Sequence, residues 1–411
     1  MEEWKKYKIG NLCSISSSKR IFAKEYQPSG IPFYRGKEII EKQKGESVST
    51  ELYISKSRYD EIKNKFGVPK EDDMLLTSVG TLGIPYIVKN ETFYFKDGNL
   101  TWFSNFKGIN SKFLYYWFLS PMAKNAIDTK AIGSTQKALT IDALSKFEID
   151  IPNIDIQNRI VSVLSSLDSK IELNRRINDN LEQQAQALFK SWFVNNPNPD
   201  WIETTLSEVA SFIGGYSYKG EELTDSSDVA MATIKNFGRN SGFKVDGFKD
   251  IIPSTKLKEC QYVNMFDILV AHTDLTQNAD VIGNAELLLT YGKYDKIIFS
   301  MDLVKVLPKN NFPYRFLLAA ILKNKIFKGH CLGYVNGTTV LHLNKKALPQ
   351  FEIRIPSEYE ARTMNDTLAP YFKQMAEVLQ ENDKLIRLRD TLLPKLMSGE
   401  LKISEIETEY V

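Results

Sequence analysis

Phe147-Glu148-Ile149, Ile151-Pro152 and Leu164 return as Phe351-Glu352-Ile353, Ile355-Pro356 and Leu368, and this recurrence decides how the chain is read. One constant offset also aligns Gly133-Ser134-Thr135 with Gly337-Thr338-Thr339, Leu139 with Leu343, and Ala143-Leu144 with Ala347-Leu348. It runs on through Asn178-Asp179/Asn382-Asp383, Leu181/Leu385 and Leu188/Leu392 without a gap. Self-similarity held in register over such a span marks a duplicated unit. Upstream the match weakens: Trp4 with Ile9 and Leu12 resembles Trp201 with Leu206 and Val209. Asp73-Met74-Leu75-Leu76 resembles Asp267-Ile268-Leu269-Val270, and the segment from Phe113 resembles that from Tyr314. The chain therefore reads as two half-repeats, each a globular domain followed by a helix.

The helical parts carry a heptad seam. From about Asp155 to Val194 there is no Gly or Pro. Ile160, Leu164, Leu167, Ile171, Asn174, Asn178, Leu181, Ala185, Leu188 and Trp192 alternate at four- and three-residue steps, the period of a packed helix stripe. The second copy gives Met364, Leu368, Tyr371, Met375, Val378, Asn382, Leu385, Arg389, Leu392 and Leu396. Two matching seams predict two long antiparallel coiled-coil helices related by a pseudo-twofold repeat. At about 1.5 Å per residue each is a rod of roughly 60 Å. A helical hairpin that merely caps a domain is the alternative. Asn178 and Asn382 either fix the register of the pair or sit solvated in a loose stretch, and Pro370 kinks the second helix or marks its start.

Residues 1–152 and 196–357 read as mixed α/β, so the fold class is α/β (α+β). Strand-like runs lie at 84–88, 92–95, 297–299 and 303–306, with helices near 112–119 and 314–322. Asn195 to Asp200 breaks the first helix. The expected domains are 1–152, a helix at 153–195, a second globular domain at 196–357, and a helix with tail at 358–411.

A net charge of +2 over 411 residues excludes a globally basic coat, so any nucleic-acid contact must come from local patches. Three scattered cysteines suit a reducing cytoplasm rather than a disulfide framework, and no apolar run suggests a signal core or a membrane span. Asn196-Pro197-Asn198-Pro199 lacks the adjacent prolines and aromatic of an adenine-methyltransferase loop. Gly214 to Gly220 has the wrong spacing for a phosphate loop, and His272, His330, His342 and the cysteines form no ligand set. No catalytic residue and no metal site is expected.

The segment Gly133 to Phe193, ending Leu188-Phe189-Lys190-Ser191-Trp192-Phe193, resembles the central conserved region of type I restriction-modification specificity subunits. The ending Leu388-Arg389-Asp390-Thr391-Leu392-Leu393-Pro394-Lys395-Leu396-Met397-Ser398-Gly399-Glu400 is similar to that family's distal conserved region. One departure is Ala361, which aligns with Gln157. The resemblance implies a non-catalytic, DNA-binding, cytoplasmic prokaryotic subunit with two target-recognition domains that read a bipartite, asymmetric site in double-stranded DNA. It implies two modification subunits, which carry S-adenosylmethionine and methylate adenine at N6, and a restriction subunit that translocates DNA with ATP; no cofactor belongs to this chain. A scaffold with two protein-binding domains on a helical hairpin stays open as a second reading, and a fused DNA-modifying enzyme as a third.

Side chains suited to phosphates and base edges nominate Lys19, Arg20, Arg35, Lys37, Thr77, Ser78, Thr81, Ser134, Thr135, Gln136 and Lys137 in the first domain. In the second they nominate Tyr218, Lys219, Lys235, Asn236, Arg239, Asn240, His272, Thr273, Thr276, Gln277, Thr338 and Thr339.

Overall fold

The computed structural model describes residues 4–45, 48, 50, 52–131, 137–239 and 242–403. The chain forms two compact units, Met1–Glu172 with Leu385–Val411, and Leu173–Lys384. Each long helix therefore contributes to both.

In the first unit an antiparallel pair, Lys5–Lys8 with Glu148–Ile151, ties the start of the chain to the approach to the first long helix. A four-stranded antiparallel sheet runs in the order Ser14–Ser16, Leu100–Ser104, Met74–Thr77, Pro85–Ile87. A second sheet ends in a parallel pair, Ile31–Tyr34 with Tyr94–Phe95. The Met74–Thr77 strand is buried on both faces, and its period of two splits the core. Met74 and Leu76 join Phe103, Phe113 and Leu114, whereas Leu75 joins Tyr34, Ile39 and Phe95.

The second unit repeats this plan. Ile202–Thr205 pairs with Glu352–Ile355. The four-stranded order is Ala210–Gly214, Leu303–Pro308, Ile268–Ala271, Ala285–Leu287, and Val229–Ala232 lies parallel to Lys296–Phe299. Ile268 and Val270 face one core, Leu269 and Ala271 the other. Even the tight turn before the central strand recurs: Asp72 and Phe266 both hold φ 66°. Asp73 and Asp267 each accept a backbone N–H three residues upstream at 2.9 Å.

The long helices span Ile154–Lys190 and Glu358–Ser398, the first continuing into a wider turn over Ser191–Asn195. Asn153 Oδ1 receives the Ile156 N–H (3.0 Å) at the first start. At the second, Ser357 and Glu360 cap each other, Glu360 Oε2 accepting the Ser357 N–H (3.0 Å) and Ser357 Oγ the Glu360 N–H (3.4 Å). The helix therefore begins well before Pro370, which does not mark its start. Every seam residue named above is buried or half-buried. In the first unit Ile160 and Leu164 share a core with Leu393, Leu396 and Met397, and Arg389 meets Asp168 at 2.9 Å. In the second, Asn174 Nδ2 donates to Asn382 Oδ1 (2.9 Å) and Glu381 Oε2 (2.7 Å), and Asn178 Nδ2 reaches the Met375 carbonyl (3.4 Å). Within each unit, numbers rise along one helix as they fall along its partner, so the pair is antiparallel. A polar partner of Asn382 is therefore Asn174, the seam residue just before Asn178.

Gln157, fully buried, fastens the first helix to its domain. It accepts the Asn110 N–H (2.9 Å) and donates to the carbonyls of Gly108 (3.1 Å) and Pro152 (2.9 Å). In the second unit Ala361 takes its place, and the task passes to Asn365, whose Oδ1 accepts the Phe316 N–H (3.0 Å). Unpaired buried backbone groups cost about 1–3 kcal/mol each. Gln157→Ala is thus expected to lower the stability of the first unit by about 3 kcal/mol in denaturant unfolding, and Ala361→Gln to give no matching gain.

Among the described residues no helix is long and apolar enough to cross a membrane, and no cluster of His, Cys, Asp and Glu is placed to hold a metal. Burial pushes the thiols of Cys13 and Cys331 up to about 12, leaving both inert.

Candidate nucleic-acid interface

One loop junction occurs in each unit, and backbone hydrogen bonds define it. In the first, the Ser78 N–H donates to the Asn99 carbonyl (2.8 Å), and the Ser78 carbonyl accepts the Leu139 N–H (2.9 Å). In the second, the His272 N–H donates to the Asp302 carbonyl (2.8 Å), and the His272 carbonyl accepts the Leu343 N–H (2.8 Å). Strand pairing follows the same pattern: Val79 bridges Ala138, and Thr273 pairs with His342. In each unit the loop that leaves the second parallel strand thus meets the residue that follows the central strand.

The first junction gathers several nominated residues. Lys137 adjoins Ala138, the exposed Thr81 lies two residues past Val79, and a Cβ built at Gly36 would come within 3.9 Å of Thr77 Cγ2. Arg20 pairs with Asp97 at 2.8 Å, beside the Gly98 and Asn99 turn. Lys19 is exposed, its ammonium 4.5 Å over the Phe66 ring. Lys37 is also exposed, 3.6 Å from Glu41. At the second junction Gln277 Nε2 donates to the Thr338 carbonyl (2.6 Å), Arg239 meets Asp280 (3.6 Å), and Lys235, Thr338 and Thr339 are exposed. His272 is half-buried. Burial above all, then His342 and Lys345, holds its imidazole below its ordinary pKa against the opposing pull of Asp302.

Several expectations need correction. Thr77, Ser78, Asn236 and Thr273 are buried, and their polar atoms serve the fold. Thr77 Oγ1 accepts the Ile84 N–H (2.9 Å), and Ser78 Oγ bonds Thr101 Oγ1 (2.5 Å). Asn236 caps its own turn through the Thr233 N–H (2.8 Å) and the Lys244 carbonyl (2.7 Å), and Thr273 Oγ1 donates to Asp302 Oδ1 (3.1 Å). Thr276, half-buried, is turned to Asp274 (2.9 Å). Two further nominated residues are not contradicted and carry surface partners: Tyr218 accepts from Lys249 Nζ (3.4 Å), and the exposed Lys219 pairs with Glu221 (3.4 Å). His330 is a packing residue, its Nε2 2.8 Å from the Ala347 carbonyl and its ring beside Phe351. Gly215 is needed for close approach, because a Cβ there would meet the Ser300 carbonyl oxygen at 2.0 Å. Ser134, Thr135, Gln136 and Asn240 lie outside the described residues.

Arg35 is a special case. Its guanidinium grips Glu38 Oε1 at 2.7 Å, and Glu38 is fully buried. Burial works to raise the Glu38 pKa, but hydrogen bonds from the Arg35 side chain and backbone, and its charge, hold it below the usual carboxylate value. Truncating Arg35 removes the charge partner of that carboxylate and leaves it backbone N–H donors only, so Arg35→Ala is expected to cost the first unit about 2 kcal/mol, read by thermal unfolding. Lys37→Ala is expected to cost almost nothing.

Asn99 and Asp302 carry no mark in the sequence, whereas His342 is a polar residue that the repeat aligns with Ala138.

The family model of the type I restriction modification DNA specificity domain matches twice, over residues 1–183 and 198–391. A type I restriction enzyme specificity subunit of Haemophilus influenzae is 33% identical over 163 residues, which span 39% of this chain and 39% of that relative's length. The MjaIX specificity subunit of Methanocaldococcus jannaschii is 24% identical over 98% of this chain and 95% of its own. In fold, the chain is similar to the S subunit of a type I restriction-modification system from M. genitalium, with TM-score 0.53 at 18% identity and 96% of each chain covered. With both halves matched, the chain belongs to the type I restriction-modification specificity family, whose members recognise DNA sequence and do no catalysis themselves.

Proposed function

We propose that this chain reads a bipartite, asymmetric site in double-stranded DNA, one half-site per unit, and that its paired helices set the spacer. The observation that supports this reading most is the repeated junction: one backbone arrangement per unit, bearing different side chains in each. A shared frame with unlike surfaces suits a site whose halves differ in sequence. Two modification subunits would dock on the helices and methylate adenine at N6 with S-adenosylmethionine, and a restriction subunit using ATP would complete the assembly in a prokaryotic cytoplasm. The contacts to DNA fall to the exposed members of the nominated set, chiefly Lys19, Arg20, Lys37, Thr81 and Lys137 in the first unit and Lys235, Arg239, Gln277, Thr338 and Thr339 in the second.

Binding of the full chain, free and with its modification subunits, to mixed-sequence duplex across a salt series tests this. Each neutralised phosphate contributes about 0.9 to the slope of log affinity on log salt. Four contacts would thus lower affinity about a hundredfold over a fourfold rise in salt. Binding that ignores salt, or is absent in both states, favours the protein-scaffold reading instead.

A further inference from the structure

The two junctions can be compared position by position, because each is fixed by the same main-chain bonds. The turns that leave the parallel strands are fixed likewise. Tyr34 and Ala232 carbonyls accept the N–H groups of Lys96 (2.8 Å) and Ser300 (2.9 Å). The next residues, Arg35 and Thr233, donate their N–H groups to the side chains of Glu38 (2.7 Å) and Asn236 (2.8 Å), both fully buried. Three residues past each of those two strand ends stands an exposed lysine, Lys37 in one unit and Lys235 in the other.

Elsewhere around the junction the side chains differ. Ser78 corresponds to His272, Asn99 to Asp302, and Ala138 to His342. The following turn is also longer in the second unit, running 272–284 against 78–84. The added loop is well anchored: the buried Asp274 carboxylate accepts the N–H groups of Thr276 (2.7 Å) and Val281 (2.8 Å). Gln277 is exposed at its tip, tied to the Thr338 carbonyl, and His342 is exposed on the strand beside Thr273. A group held this way loses little freedom when it binds.

A reader of two unlike half-sites meets the same phosphate backbone twice and different bases twice. Phosphate contacts position the protein without carrying sequence, whereas base-edge contacts specify. What the repeat keeps should therefore serve the backbone, and what it changes should serve the bases. Resting on the DNA-reading function above, we propose that Lys37 and Lys235 are a matched pair of phosphate anchors, and that His342 and Gln277 read bases in the half-site of the second unit alone. His342→Ala installs the side chain that the first unit carries at Ala138, at an exposed site, so the fold is preserved.

The test is selection by the full chain, free and with its modification subunits, from a pool of randomised duplexes. Lys37→Ala and Lys235→Ala are expected to retain the wild-type sequence preference while affinity falls and the salt slope shrinks by about 1. His342→Ala and Gln277→Ala are expected to alter the preferred bases in one half-site, leaving the other half and the salt slope as they were. The proposal is overturned if either lysine variant rewrites the preferred sequence, or if both His342→Ala and Gln277→Ala leave every position unchanged. A wild-type chain that enriches no duplex in either state overturns the DNA-reading function itself, which is a separate outcome.

Discussion

Lys323→Met is expected to destabilise the second unit by about 3–5 kcal/mol, the usual cost of removing one partner from a buried ion pair. The Lys323 and Glu286 side chains are 8% and 4% exposed and in direct contact, and Glu182 of the first long helix approaches Lys323 at 3.3 Å. Burial disfavours the ammonium, but Glu286 and Glu182 outweigh it and hold the lysine charged. Burial also raises the Glu286 pKa, against the pull of Lys323. Without the lysine, the buried Glu286 carboxylate and the half-buried Glu182 carboxylate lose the cation between them. Glu286 also accepts the Gly242 N–H at 2.6 Å, so Lys323→Met combined with Glu286→Gln keeps that bond and should recover much of the loss. In the single variant the folded-state pKa of Glu286 stands further above its unfolded value. Its protonated form then favours folding, so the deficit should shrink as pH falls and grow as pH rises through the folded pKa. A loss below about 1 kcal/mol in urea unfolding would mean that the ammonium does not join helix and domain in this way.

The second large effect concerns spacing. One heptad inserted between Glu172 and Leu173, matched by one between Lys384 and Leu385, lengthens both helices where the two units divide them. A heptad restores the seam to within about 20° of its former phase. Seven residues add about 10 Å at about 1.5 Å each, roughly three base pairs at about 3.4 Å per step. If the helices space the two readers, the preferred half-sites should move apart by roughly that number while each keeps its own sequence. Insertion in one helix alone should instead unpair the seams and lower stability. Half-sites that stay at their original separation would refute the spacing role.

The helices were legible in the sequence because burial along a seam repeats at a fixed period, and every seam position is indeed covered. The duplication was legible for the same reason. The parallel strands were not, since Ile31–Tyr34 and Tyr94–Phe95 are short, aromatic and far apart in the chain. Nor could the sequence separate a polar side chain used by the fold from one offered to a ligand. Ser78, near Gly80, reads like a side chain offered to DNA, yet its hydroxyl is spent on Thr101. Asn236 reads like a base-reading amide, yet it caps its own turn. Composition is identical in the two cases, and only the position of the partner distinguishes them. Lys37 and Lys235 were nominated separately, and their equivalence emerged from the turns around them.

Mapping methylated adenines across the genome, with the chain present and deleted, tests the central claim most directly. The account predicts one motif that depends on this chain, with two dissimilar half-sites at a constant spacing and an adenine modified in each. A methylation map unchanged by the deletion, or a chain-dependent motif that is a single uninterrupted sequence, would contradict it.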